Sequence, residues 1–144
     1  MSVRDVDTGT DTATDAWRLI SGLMMTRKDE FPTLAAEFGL NPGAMHALLR
    51  LDPDAPASMS ALAEAFKCDA SNVTWLVDRL EENGLAERRP HPTDRRVRTV
   101  ALTRKGSKVR SQIEQRIHEA PEFMHQLSER DLDALCRILA KIRP

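Results

Sequence analysis

Residues 70–106 constrain the fold of this 144-residue chain more than any other segment. Residues 70–83 form a predicted amphipathic helix, which ends at Gly84. Its inward positions, which recur at helical spacing, are Val73, Leu76, Val77 and Leu80. A short strand at residues 85–89, a proline-containing turn at 90–95 and an alternating strand up to residue 102 follow. A helix followed by such a hairpin indicates a winged helix-turn-helix domain.

The rest of the chain is predicted to be mostly helical. Helical periodicity runs from about Thr14 to Phe38 with Pro32 inside it, which predicts one kinked helix or two. A long helix is predicted after residue 103 and through Phe123. Five residues are predicted to cap helices, namely Asn41, Ser58, Asp69, Thr103 and Ser128. The predicted fold is mainly α with a small β wing, a winged helix-turn-helix flanked by terminal helices.

The composition is that of an ordinary globular protein, with 41% hydrophobic and 30% charged residues. No run approaches the roughly 20 apolar residues that span a bilayer, and the N-terminus lacks the pattern of a secretion signal. The two cysteines are far apart and form no metal or redox motif. We therefore expect a cytoplasmic protein with reduced thiols and no membrane partner.

The net charge of −1 hides an uneven distribution. Residues 1–15 carry a net charge of −3, whereas residues 79–110 carry ten Arg or Lys against four acidic residues, a net of +6. Local basic density is what attracts the phosphates of nucleic acid. The alternative is that these charges only solvate the surface.

The outward face of the 70–83 helix carries side chains suited to a DNA groove. These candidate contacts are Ser71, Asn72, Thr74, Trp75 and Arg79. Hydroxyl, amide and guanidinium groups can bond base edges or phosphates, and an indole can pack on a thymine methyl or a deoxyribose. The alternative for Trp75 is that it tucks under a neighbouring loop or a second subunit.

The hairpin loop supplies a second candidate contact. Arg95 and Arg96 lie at its predicted tip and Arg98 follows, so their expected partner is phosphate or a narrow minor groove. Asp94 is expected to grip one of these guanidinium groups in a bidentate pair. The alternative is that the arginines solvate the edge of a hairpin.

With these residues in view, the chain resembles the MarR family of transcriptional regulators over roughly residues 15–142. The matching motifs are Leu62-Ala63-Glu64, residues 71–74, residues 76–85, the Asp94-Arg95-Arg96 wing and residues 100–106. The resemblance implies a homodimer whose first and last two helices intertwine over a pseudo-palindromic operator, with Arg96 in the minor groove. Trp75 departs from the small, polar or basic residue common at its position in relatives, so no base preference is carried over.

On this interpretation the chain divides into four parts: a disordered tail (1–13), an N-terminal dimerisation region (14–38), the winged helix-turn-helix (39–103) and C-terminal dimerisation helices (104–144). Apolar stripes on the terminal helices agree with dimerisation, because a core this small cannot bury them all. The stripes comprise Trp17, Ile20, Ile113, Ile117, Leu132, Leu135, Ile138 and Leu139.

The resemblance also implies a cleft for a small, often aromatic, effector. The candidate lining residues are Trp17, Met24, Met45, Leu48 and Phe66, and the alternative is that they are plain core. Cys68, in the turn before the 70–83 helix, is a candidate redox residue because Lys67 and a helix N-terminus adjoin it.

His118, Glu122 and His125 could share one helix face and hold a metal, although Pro121 disturbs that spacing; no metal or cofactor is predicted. No motif of an enzyme is present. The predicted function is a sequence-specific, double-stranded-DNA-binding transcriptional regulator, a repressor. The alternatives are a winged helix that binds protein and a cysteine-based redox regulator.

Overall fold

The computed structural model describes residues 11–142, which divide into two compact units, one up to Arg110 and one from Ser111 onward. The first unit contains α1 (Thr12–Thr26), α2 (Glu30–Glu37), α3 (Pro42–Arg50), β1 (Ala57–Ser58), α4 (Met59–Phe66), α5 (Ala70–Glu82), β2 (Ala86–Pro90) and β3 (Arg98–Leu102). Helix α6 (Arg104–His118) crosses the boundary between the units. The second unit continues with a 3-10 helix (Glu122–Gln126), α7 (Glu129–Leu139) and a last 3-10 turn (Ala140–Ile142).

The five predicted helix caps are confirmed. In each case the side-chain oxygen of the capping residue accepts a hydrogen bond from the backbone N–H three residues later, at 2.8–3.2 Å. The capping residues are Asn41, Ser58, Asp69, Thr103 and Ser128. These bonds satisfy backbone donors that have no partner within the first turn of a helix, and so fix where α3 to α7 begin.

The N-terminal helical region consists of two helices, with a break at residues 27–29. Pro32 lies in the first turn of α2, where its missing N–H breaks no helical hydrogen bond. Residues 1–10 of the predicted tail lie outside the described residues. The prediction is wrong for Thr12 and Ala13, which already belong to α1. Asp15 favours this early start, because a carboxylate in the first turn interacts well with the helix dipole.

The prediction that the helix after residue 103 extends through Phe123 is wrong. Helix α6 ends at His118, and Pro121 stands directly before the 3-10 helix. His118 and the Glu122–His125 segment therefore do not share one α-helical face. Within residues 11–142, no group of three or more His, Cys, Asp or Glu residues could hold a metal ion.

The three strands form one antiparallel sheet in the order β1-β3-β2. Strands β2 and β3 make the predicted hairpin, in register from Ala86 opposite Leu102 to Pro90 opposite Arg98. We refer to this hairpin, residues 86–102, as the wing. Strand β1, which pairs Ala57 with Val100, was not predicted because two residues are too few to show alternation.

The core of the first unit lies beneath α5, whose four predicted inward residues are all buried. At the C-terminal end of α5, Gly84 has a φ of +68°, and its carbonyl accepts a 2.6 Å hydrogen bond from the Thr103 hydroxyl. The N–H of Thr103 bonds the Leu85 carbonyl at 3.1 Å. A side chain at Gly106 would place its Cβ 1.8 Å from that carbonyl oxygen. The end of α5 and the start of α6 are thus locked together on either side of the wing.

Candidate nucleic-acid interface

The exposed face of α5 carries all five of its predicted site residues. Ser71, Asn72, Thr74, Trp75 and Arg79 are exposed, whereas the residues between them that face inward are buried. The carboxylate of Asp69 holds the first turn by accepting the Asn72 N–H at 2.8 Å. The pattern of 3.6 residues per turn therefore assigned the two faces of this helix correctly.

Several polar side chains on this face already have partners in the chain. The Thr74 hydroxyl donates to the Ala70 carbonyl at 2.9 Å. Arg79 pairs with Glu82 at 2.9 Å, and its guanidinium carbon lies 5.7 Å from the centre of the Trp75 ring. This distance is that of a cation–π contact.

Trp75 is partly covered by its own chain. Its side chain, 46% exposed, lines a small cavity of about 150 Å³ next to the turn between α2 and α3. The other lining residues are Gly39, Leu40, Asn41, Ala44, Arg79 and Asn83. The indole therefore faces the turn between α2 and α3 across this cavity and presents about half of its surface outward.

Arg88 joins the wing to α5, a role that the sequence interpretation missed. Its guanidinium pairs with Glu81, with Asp78 at 2.7 Å, and with the Thr74 carbonyl at 3.4 Å. Its backbone N–H donates to Glu81 at 2.8 Å. We call this set the Arg88 clamp. Spacings of 7 and 10 residues between partners, across a turn, leave no local signal in the sequence.

The tip of the wing is fixed by backbone hydrogen bonds. The Asp94 carboxylate accepts the Arg96 N–H at 3.0 Å, and the Asp94 carbonyl accepts the Val97 N–H at 3.0 Å. The expected bidentate grip of Asp94 on a guanidinium is therefore wrong. A short Asp side chain reaches the backbone two residues ahead more readily than a long side chain that extends into solvent.

Positive charge is concentrated at this tip. Arg95, Arg96 and Arg98 are exposed and have no hydrogen bond or ion pair from their side chains to any residue between 11 and 142. We call them the wing arginines. By contrast, Arg88 belongs to the clamp, and Arg89 donates to Glu87 at 2.6 Å. Part of the positive charge of residues 79–110 is thus neutralised by ion pairs within the chain. The charge of the wing arginines is not, so it can interact with a ligand.

Comparison with known proteins identifies the family of this chain. Residues 40–97 match the MarR family. A Thauera aromatica protein described as a transcriptional regulatory protein for the hcr operon is 32% identical over 112 residues, which cover 76% of this chain and 67% of that protein. The chain belongs to the MarR family.

Solved structures share the fold of this MarR-family chain. Wild-type MarR from E. coli, in its apo form, superposes with a TM-score of 0.73 at 23% identity, covering 88% of this chain and 95% of that one. A mutant of S. aureus MepR bound to an oligodeoxyribonucleotide has a TM-score of 0.67 at 22% identity, covering 92% and 96%. The predicted winged helix-turn-helix fold is confirmed. The prediction that the chain is no enzyme agrees with its family of transcriptional regulators.

The residues predicted for an effector cleft fall into two groups in this MarR-family chain. Met45 and Leu48 are on the buried face of α3, and Phe66 is half-buried at the end of α4. Trp17 and Met24, on α1, are 61% and 63% exposed. The chain by itself therefore leaves the α1 members of the candidate cleft open to solvent.

Helices α1 and α7 contain no buried residue at all. Large apolar side chains are exposed on each, including Leu23 on α1 and Ile138 on α7. Of the predicted apolar stripes, Ile113 is fully buried, whereas Trp17, Ile138 and Leu139 are exposed, so the stripes are only partly buried, as predicted. Four others are half-buried: Ile20, Ile117, Leu132 and Leu135.

No helix within residues 11–142 is long and apolar enough to cross a membrane.

Cys68 lies in the turn that joins α4 to α5, as predicted. Lys67 before it has a φ of +51°, and the Cys68 N–H bonds the Ala63 carbonyl at 3.1 Å. The Cys68 side chain is half-buried. Its redox role stays a prediction.

Proposed function

We propose that this MarR-family chain is a homodimeric repressor that binds a pseudo-palindromic operator in duplex DNA. The observation that carries the proposal is the cluster of wing arginines, which have no partner within residues 11–142, beside the polar exposed face of α5. Surface arginines without a carboxylate partner are the groups that exchange counterions for phosphates. We place the protein in the cytoplasm, where a bacterial or archaeal chromosome is accessible.

In this proposal α5 enters the major groove and the wing reaches the adjacent minor groove. The exposed N-terminal turns of α5 bring Ser71, Asn72 and Thr74 toward base edges and phosphates. Arg96, at the tip of the wing, inserts into the minor groove, where narrow A·T-rich segments attract guanidinium groups. A MepR mutant that shares this fold is bound to an oligodeoxyribonucleotide, which supports DNA as the partner.

The homodimer is supported by the apolar surface of the terminal helices. A soluble monomer rarely exposes contiguous large apolar side chains such as Trp17, Leu23 and Met24 on α1. In the dimer these helices pack on a second copy, and two-fold symmetry presents two copies of α5 about one turn of DNA apart.

Repression and its release complete the proposal. A winged-helix dimer bound across a promoter acts most simply by blocking access to it. The effector is a small aromatic molecule, held between the exposed Trp17 and Met24 of α1 and the inner residues Met45, Leu48 and Phe66 once the second subunit closes over α1. Titration of the protein–DNA complex with a panel of aromatic acids, read by fluorescence anisotropy, tests this release.

The experiment that tests DNA binding is a titration of the protein against genomic fragments that flank its own gene, at two or more salt concentrations. Wild type is expected to bind one fragment tightly with a footprint, and Arg96→Ala to bind weakly. The plot of log Kd against log salt becomes shallower by about two in this variant, one contact per subunit. Arg50→Ala, which removes one exposed charge from α3, outside both the candidate interface and the terminal helices, is the matched control. Weak, unfootprinted binding by wild type and Arg96→Ala alike would instead favour a protein-binding winged helix.

A further inference from the structure

We infer that Asn72 is the residue that selects the base sequence, and that it selects an adenine in each half of the operator. The inference rests on the proposed function and adds to it the identity of one base and of the side chain that reads it. It follows from which polar groups on the exposed face of α5 are already occupied and which are not.

Three of the polar side chains on this face are engaged within the chain. The Thr74 hydroxyl donates its hydrogen bond to the Ala70 carbonyl. Asp78 is part of the Arg88 clamp. Arg79 is held by Glu82 and by the ring of Trp75. A side chain that must first break such a contact gains less from bonding a base, because the two interactions offset each other.

Ser71 and Asn72 remain. Both are exposed in the first turn of α5, and neither side chain has a hydrogen-bond partner in the part of the chain that the structure describes. The backbone beneath them is fixed, since Asp69 holds the Asn72 N–H at 2.8 Å. Because the backbone of this turn is already fixed, binding a base through either side chain costs little backbone conformational entropy.

The chemistry of the two side chains decides between them. A serine hydroxyl both donates and accepts, so it bonds many base edges without distinguishing them. A carboxamide presents a donor and an acceptor side by side, which matches the N6 amino group and N7 of adenine in the major groove. Asn72 is the only such side chain among the described residues of the exposed face of α5 that lies in its first two turns.

The surroundings of Asn72 favour the same base pair. Trp75, about one turn further along the helix, is 46% exposed, and the two residues between it and Asn72 in the sequence are uncharged. An apolar surface next to the amide suits the C5-methyl group of thymine. Guanine presents two acceptors, N7 and O6, in the major groove. The carboxamide presents a donor group beside an acceptor, so it matches guanine less well than adenine.

The test begins with selection of binding sites from random-sequence duplexes by wild type, Asn72→Ala and Asn72→Asp. Wild type is expected to select one A·T pair in each half-site, and Asn72→Ala to lose that preference alone. Asn72→Asp is expected to select cytosine there, because a carboxylate accepts from the N4 amino group. This change of preference cannot arise from misfolding. Asn83→Ala makes the same change at the other end of α5, where the amide already bonds the Arg79 carbonyl, and serves as the control.

Replacement of the selected adenine by 7-deazaadenine then removes the N7 acceptor alone. This is expected to raise Kd for wild type by about 5- to 150-fold and to leave Kd for Asn72→Ala unchanged. If wild type selects a sequence and Asn72→Ala selects the same one, the inference is overturned and the proposed function stands. If wild type selects no sequence at all, the proposed function itself fails, and the inference fails with it.

Discussion

Gly106 illustrates how a single residue allows two elements of the winged helix-turn-helix to approach each other closely. The backbone of α6 passes so close to Leu85 that a Cβ at this position would lie 1.8 Å from the Leu85 carbonyl oxygen. Gly106→Ala therefore forces the backbone apart, although alanine itself favours a helix. We expect the free energy of unfolding to fall by at least about 1–3 kcal/mol, the usual cost of overpacking. Urea denaturation followed by circular dichroism measures this change.

Ser111→Ala is the control for Gly106→Ala, because it places alanine at an exposed position of the same helix. It is expected to leave stability unchanged or slightly higher. If Gly106→Ala were as stable as Ser111→Ala, α6 and Leu85 would not approach each other as closely as the structure indicates.

At the scale of elements, the Arg88 clamp determines how the wing is held against α5. The pairs are partly exposed, with Arg88 at 24% and Asp78 at 51% side-chain exposure, so solvent screens them and their effect on stability is modest, within about 1 kcal/mol. Their effect on geometry is larger, because they join elements that contact DNA separately in the proposed function. Arg88→Gln is expected to weaken operator binding at least about tenfold while it lowers stability little.

Arg89→Gln removes the same charge from the next residue, whose partner Glu87 lies within the same strand. We expect it to reduce operator affinity less than Arg88→Gln does. The effect of Arg96→Ala should also shrink in the Arg88→Gln background, because a loose wing no longer delivers Arg96 to the groove. If Arg88→Gln and Arg89→Gln reduced operator affinity equally, and the effect of Arg96→Ala were additive with each, the clamp would have no role in positioning the wing.

The clamp also marks the limit of what the sequence could predict. Helix caps and the two faces of α5 depend on residues within one turn of each other, so their patterns are visible in the chain. The partners of Arg88 are brought near only by the fold, and the two-residue strand β1 takes its shape from β3. The wing was located correctly, yet the role of Asp94 was not. Sequence pattern does not distinguish a carboxylate that bonds a guanidinium from one that bonds a backbone N–H two residues away.

At the scale of the whole molecule, the exposed apolar residues raise the question of assembly. Helix α7 has no buried residue, and Ile138 on it is 57% exposed. In the proposed homodimer this surface is covered by the partner. A single winged head then contacts only one half-site, and the second head binds at a high effective concentration once the first is bound. Dimerisation and operator affinity are therefore coupled, and one substitution on α7 should change both.

Ile138→Glu places a charge in the middle of this apolar surface, and burying an unpaired carboxylate opposes association. Wild type is expected to have twice the 16.2 kDa mass of the single chain in sedimentation equilibrium, and Ile138→Glu to sediment as a single chain at the same concentration. Its affinity for the full operator should fall about 100-fold or more, while its affinity for an isolated half-site stays close to that of wild type. Gln126→Glu adds the same charge at an exposed polar position and should alter neither mass nor affinity. A variant Ile138→Glu that remains a dimer would exclude this part of α7 from the interface, and a wild type that sediments as a monomer would overturn the proposed assembly altogether.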